Sequence, residues 1–78
     1  MNKLSTEYLL KKHFIAKKDI ASSFIPDLTP DNALRLFRKW IYEDEKLFNE
    51  LKKANYKTTA HYFTPRQIEI IIKHFGFP

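Results

Sequence analysis

A chain of 78 residues without a cysteine has to hold itself together by packing alone. A polypeptide this short buries only about 60% of the surface its unfolded chain exposes. Small domains commonly make up the difference with disulfides or a structural metal. Disulfides and thiolate zinc sites are both excluded here. What remains is a core of large side chains, and the composition supplies them: 44% hydrophobic residues, with seven Phe, four Tyr and one Trp. The aromatic content argues against a disordered chain. A second core would have too few residues, so the chain reads as one domain.

Charge narrows the partners. Fourteen Lys and Arg against nine Asp and Glu leave a net charge of +5. Such a surface favours polyanions, nucleic acid or anionic lipid, although it also serves plain solubility. The opening residues hold no apolar run long enough for a signal peptide or a membrane span, and the longest run is Ile70-Ile71-Ile72. The expected location is the cytoplasm, with no membrane association.

Two helix starts use the same chemistry. In Leu28-Thr29-Pro30-Asp31-Asn32, Thr29 is the N-cap and Pro30 takes the first helical position, where its missing N–H costs nothing. Phe63-Thr64-Pro65-Arg66-Gln67-Ile68 repeats this with a capping box from Thr64 to Gln67, and Phe63 and Ile68 stand at staple spacing. The first helix, about 30–42, lines up Ala33, Leu34, Phe37, Trp40 and Ile41. On this reading Trp40 is largely buried against Ile20, Phe24 and the final helix. The second, about 65–75, buries Ile68, Ile71, Ile72 and Phe75 and stops at Gly76, the only glycine. Between them a helix at about 44–54 uses Leu47, Phe48, Leu51 and Ala54, with Asn55 as a left-handed stop. Upstream, Lys17 to Phe24 forms a short helix with Ile20, Ala21 and Phe24 inward. A further helix from Thr6 to His13, after Ser5, has weak boundary signals. The expected fold is therefore all-α, a compact bundle of four or five short helices. Residues 1–16 are read as an extension, 17–78 as the domain, and the polar Tyr56–Tyr62 stretch as a candidate extended wing.

Catalytic chemistry finds no footing in this pattern. Ser22, Ser23, Thr58 and Thr59 lie in no nucleophile elbow, and His61 is the only base candidate near them. His13, His61 and His74 lack a short metal-ligand spacing. Glu43-Asp44-Glu45 reads as charge at a helix start, because adjacent positions on a helix diverge. One glycine near the C-terminus rules out a glycine-rich phosphate loop. The expectation is a protein that is not an enzyme and takes no cofactor, metal or small-molecule substrate.

A short helix, a turn and a longer helix with an exposed basic face is the shape of a helix-turn-helix, and residues 17–42 follow it. In that arrangement Asn32, Arg35, Arg38 and Lys39 lie on or near the exposed face of the second helix. Arginine suits bidentate contact with guanine and asparagine reads adenine, while Lys39 suits phosphate. Lys17 and Lys18 would meet the backbone from the preceding helix, and Lys57 would do so from the wing. Each feature has a plainer counterpart. Basic residues opposite an apolar stripe are also what any solvated helix face shows. Asp27 and Asp31 repel phosphate, and the turn is longer than the usual three or four residues. Two functions follow from these residues: duplex DNA binding or regulation through 17–42, or a module that meets an acidic protein or a second copy of itself.

The order of landmarks also carries a resemblance. Asp19-Ile20-Ala21, Phe24-Ile25-Pro26, Thr29-Pro30, Ala33, Arg38-Lys39-Trp40-Ile41, Leu47, Leu51, Tyr56, Phe63-Thr64-Pro65-Arg66-Gln67, Ile71 and Gly76-Phe77-Pro78 run from Lys18 to the end of the chain. This pattern resembles the family classed as domain of unknown function 4248, small proteins of gut Bacteroidales. The resemblance implies a bacterial origin and leaves residues 1–16 outside. Phe77 stands where the family tends to carry Glu before the final Pro, and the resemblance transfers no functional residue.

Overall fold

The computed structural model describes residues 6–78, so Ser5 and the chemistry expected of it lie outside the described residues. Five helices and two short strands follow in the order α1 (Thr6–Leu10), β1 (Ile15–Ala16), α2 (Lys17–Phe24), α3 (Pro30–Glu43), α4 (Glu45–Lys53), β2 (Tyr62–Phe63) and α5 (Pro65–Phe75).

The helix starts follow the cap chemistry. Thr29 Oγ1 accepts from the Asn32 N–H at 3.4 Å, and Thr64 Oγ1 accepts from the Gln67 N–H at 3.2 Å. Gln67 reciprocates the second, accepting the Thr64 N–H on its Oε1 at 3.0 Å, which completes the capping box. Asp44 ends α3 and begins α4: its N–H donates to the Trp40 and Ile41 carbonyls, and its Oδ1 accepts from the Leu47 N–H at 3.1 Å. The acidic cluster is thus a junction, with Glu43 closing one helix and Glu45 opening the next. Asn55 takes a φ of 65° and Gly76 a φ of 81°, the left-handed stops expected after α4 and α5.

The core draws on every one of these elements. Ala33, Phe37 and Ile41 of α3 are buried with Ile20 and Ala21 of α2, Leu47 and Leu51 of α4, and Ile68, Ile70 and Ile71 of α5. Phe37 is its aromatic hub, with ring contacts to Phe24, Trp40, Phe63 and Phe75 at centroid distances of 5.4 to 6.3 Å. Trp40 is partly buried on the edge of this core, with its ring against Phe37 and, as expected, against Phe75 of the final helix. Ile70, outside the expected stripe of α5, is buried because α4 also packs on that helix.

The all-α expectation needs one correction. β1 and β2 form a two-stranded antiparallel sheet with Ile15 opposite Phe63 and Ala16 opposite Tyr62. Ile15 and Phe63 point into the core, and the Lys17 N–H continues the ladder to the His61 carbonyl at 2.9 Å. Only the end of the expected wing is strand. Residues 57–60 make a turn closed by the Ala60 N–H on the Lys57 carbonyl at 3.2 Å. Leu9 and Ile15 join the same core, so the 16/17 boundary falls between a strand and a helix that pack together. The N-terminal helix is also shorter than expected, ending at Leu10.

Candidate nucleic-acid interface

Seven side chains were expected at a nucleic-acid surface: Lys17, Lys18, Asn32, Arg35, Arg38, Lys39 and Lys57. Six of them are exposed. Lys17 is not, with 2% of its surface accessible. It opens α2 at the position three and four residues before Ile20 and Ala21, so the helical period itself places it on the buried stripe. Its ammonium donates to the Lys57 carbonyl at 2.6 Å and lies 4.6 Å from the centre of the Tyr56 ring. Burial, and then the charge of Arg38, lowers its pKa from the usual 10.5. A direct phosphate contact by Lys17 is therefore corrected to a structural role: it pins the 57–60 turn to the start of α2.

Lys18, one position on, points outward and pairs with Asp31 at 2.7 Å. Both partners are mostly exposed, which makes the pair worth at most about 1 kcal/mol. The hydrogen bond and charge of Lys18 lower the Asp31 pKa, with a smaller contribution from Arg35. The acid that opposed phosphate binding in the sequence is thus partly neutralised by its neighbours. The Thr29 cap engages the main-chain N–H of Asn32 and leaves its side chain at the surface. Arg35, Arg38 and Lys39 follow along the exposed side of α3. Among the described residues, Arg38 forms no ion pair.

The fold brings some of these groups together across the chain. Lys17, Lys18 and Arg38 line a cleft of about 200 Å³ with Ala60, His61 and Tyr62. One wall is α2 and α3, and the other is the segment that leads into β2. Asn32, Arg35 and Lys39 lie outside its lining, as does the Lys57 side chain. His61 and Tyr62 are members that the sequence placed in the wing without counting them among the nucleic-acid-binding side chains. Their only local signal was the partly β-branched, polar stretch they end, because the strand partner of Tyr62, Ala16, lies more than half the chain away.

The remaining ionisable groups serve other ends. His13 Nε2 lies 3.0 Å from the Tyr8 carbonyl, and the Ser23 hydroxyl donates to the Asp19 carbonyl at 3.0 Å. His74 hydrogen-bonds Glu50 and approaches Asp44, joining α5 to α4. Among the described residues no group of three His, Cys, Asp or Glu could hold a metal ion. No helix among them is long and apolar enough to cross a membrane.

No curated protein and no solved structure matches the chain. The family model described as Domain of unknown function (DUF4248) matches residues 11–78, so the match takes in α2 through α5, both strands and a few residues that the sequence landmarks left out. On that match the chain belongs to this family.

Proposed function

We propose that the protein is a non-catalytic DNA-binding module that meets duplex DNA with the exposed side of α3 and the 57–61 segment. The observation that carries this reading is the run of Arg35, Arg38 and Lys39 along one exposed helix face, beside Lys18 and a loop tied to the start of α2 by the Lys17 hydrogen bond. α2 packs along α3, as the first helix of a helix-turn-helix packs on its recognition helix, with residues 25–29 as the connection. In this reading α3 enters the major groove. Arg35 and Arg38 are the candidates for base edges, Asn32 for adenine, and Lys18 and Lys39 for phosphate. Lys57, Thr58, Thr59 and His61 are exposed on the loop and stand as the wing, which the β1–β2 pair and the Lys17 hydrogen bond attach to the helix pair.

Counterion release supplies the test. Binding to a pool of random duplexes should weaken steeply with salt, with a slope of log K against log salt of roughly −3 to −4 for about four phosphate contacts. Lys39→Ala should lower affinity for all sequences alike and reduce that slope by about one. An absence of binding at micromolar protein in low salt would end this reading. It would favour a module that meets an acidic protein or a second copy of the chain.

A further inference from the structure

We infer that the cleft between α2, α3 and the 57–62 segment is a seat for a single phosphate group, with Arg38 as its principal ligand. The inference deepens the DNA-binding reading and rests on it for the expected source of the phosphate, a backbone phosphodiester.

Three observations converge on this cleft. First, it gathers positive charge without a carboxylate in its lining: Lys17, Lys18, Arg38 and His61 are its polar side chains, with the phenol of Tyr62. Second, the cations act on one another. Arg38 lies close enough to Lys17 for its charge to help lower the pKa of that ammonium, and the hydrogen-bond partner of Lys17 is a neutral carbonyl. An anion beside Arg38 would relieve this repulsion. Third, the ligands are available. Arg38 has no ion pair among the described residues, and Lys18 is held only by a surface pair with Asp31 that an incoming phosphate can replace. A guanidinium presents two parallel N–H donors to a phosphate, whereas a lysine supplies a point charge. That division fits Arg38 as the orienting ligand and Lys18 as the supporting charge. The volume of about 200 Å³ admits a phosphate group, and a phosphate contact there would fix position and carry no sequence information.

The other pockets carry less. Leu9, Pro65 and Ile72 floor a hollow rimmed by Lys11, Lys12 and Lys73, but Glu69 sits in it and nothing identifies an occupant. The pocket between α4 and α5 has Glu50 in its lining, against Lys53 and Arg66.

The test is a titration of the full chain with inorganic phosphate, followed by NMR at the Arg38 Nε–H and the amides of Ala60, His61 and Tyr62. The expected result is a saturable shift confined to these groups. Arg38→Gln should weaken it roughly tenfold or more, the loss expected for hydrogen bonds to a charged group. Arg35→Gln, one turn earlier on the same exposed helix and outside the cleft, should leave phosphate binding unchanged. Both replaced side chains are at the surface, so both variants should fold. A short duplex titrated separately should move the same resonances. If phosphate saturates the cleft and the duplex leaves these groups unmoved, the seat stands and belongs to a free phosphate ester. If the duplex binds and phosphate produces only weak, unsaturated shifts at every surface lysine, insensitive to Arg38→Gln, the seat is overturned while the DNA-binding reading survives.

Discussion

Lys17 and Lys18 are adjacent in the chain and meet opposite environments, which shows how little residue type alone decides. Lys18 sits in water, where its pairing with Asp31 is weak. Lys17 lies under the Tyr56 ring with its ammonium on a carbonyl, where its charge is costly and its hydrogen bond fixes a turn. The sign of the pH dependence follows from the lowered pKa. Between that lowered value and 10.5 the unfolded chain holds the proton more tightly than the folded one, so this group's effect is for stability to rise with pH across that window. Lys17→Met should remove that contribution while keeping the packing against Tyr56. Urea unfolding of both proteins between neutral pH and pH 10 should show the smaller rise in the variant. Hydrogen exchange at Ala60 should be faster in the variant, because the carbonyl that closes its turn loses its anchor. Equal pH profiles and equal exchange would contradict the assigned role.

Elements whose start is written in neighbouring residues were legible in the sequence. Thr29-Pro30 and Thr64-Pro65-Arg66-Gln67 begin helices because the cap, the proline and the returning glutamine act within four positions. The sheet was not legible, since Ile15 and Phe63 pair across more than half of the chain and each strand is two residues long. For the same reason the exposed face of α3 could be read, whereas the cleft that it forms with His61 and Tyr62 could not. Lys17 was legible in principle, because the period of Ile20, Ala21 and Phe24 includes it, but its charge suggested the surface. Gln67 shows an element joined to its neighbour: it completes the Thr64 box and also donates from Nε2 to the Ala54 carbonyl at 2.9 Å. Thr64→Ala should cost about 1 kcal/mol. Gln67→Ala, which removes a buried bridge to the end of α4 as well, should cost about 2 kcal/mol. Equal losses in denaturant unfolding would mean that the bridge adds nothing. A second link between these helices is acid-sensitive. The hydrogen bond from His74 lowers the Glu50 pKa from its usual 4.5, with help from Lys73, so the stability it contributes is present above 4.5 and lost as pH falls through the lowered value. Glu50→Gln should flatten that part of the acid unfolding curve, and an unchanged curve would remove Glu50 from the account.

At the scale of the whole molecule the net charge of +5 is spread over several faces, with Lys52 and Lys53 ending α4 and Lys73 near the end of α5. Charge alone would let any of these faces attract DNA, in proportion to the positive residues it carries. If the surface of α3 with its neighbouring loop is where duplex DNA binds, that face alone should matter. Two charge-matched double variants separate the possibilities, since Arg35→Gln with Arg38→Gln and Lys52→Gln with Lys53→Gln each remove two positive charges from exposed positions. The measurement is their affinity for one duplex pool at a single low salt concentration, beside the unaltered protein. DNA binding through α3 should cost the α3 pair roughly tenfold or more and the α4 pair much less. Equal losses from the two pairs, or a larger loss from the α4 pair, would contradict it.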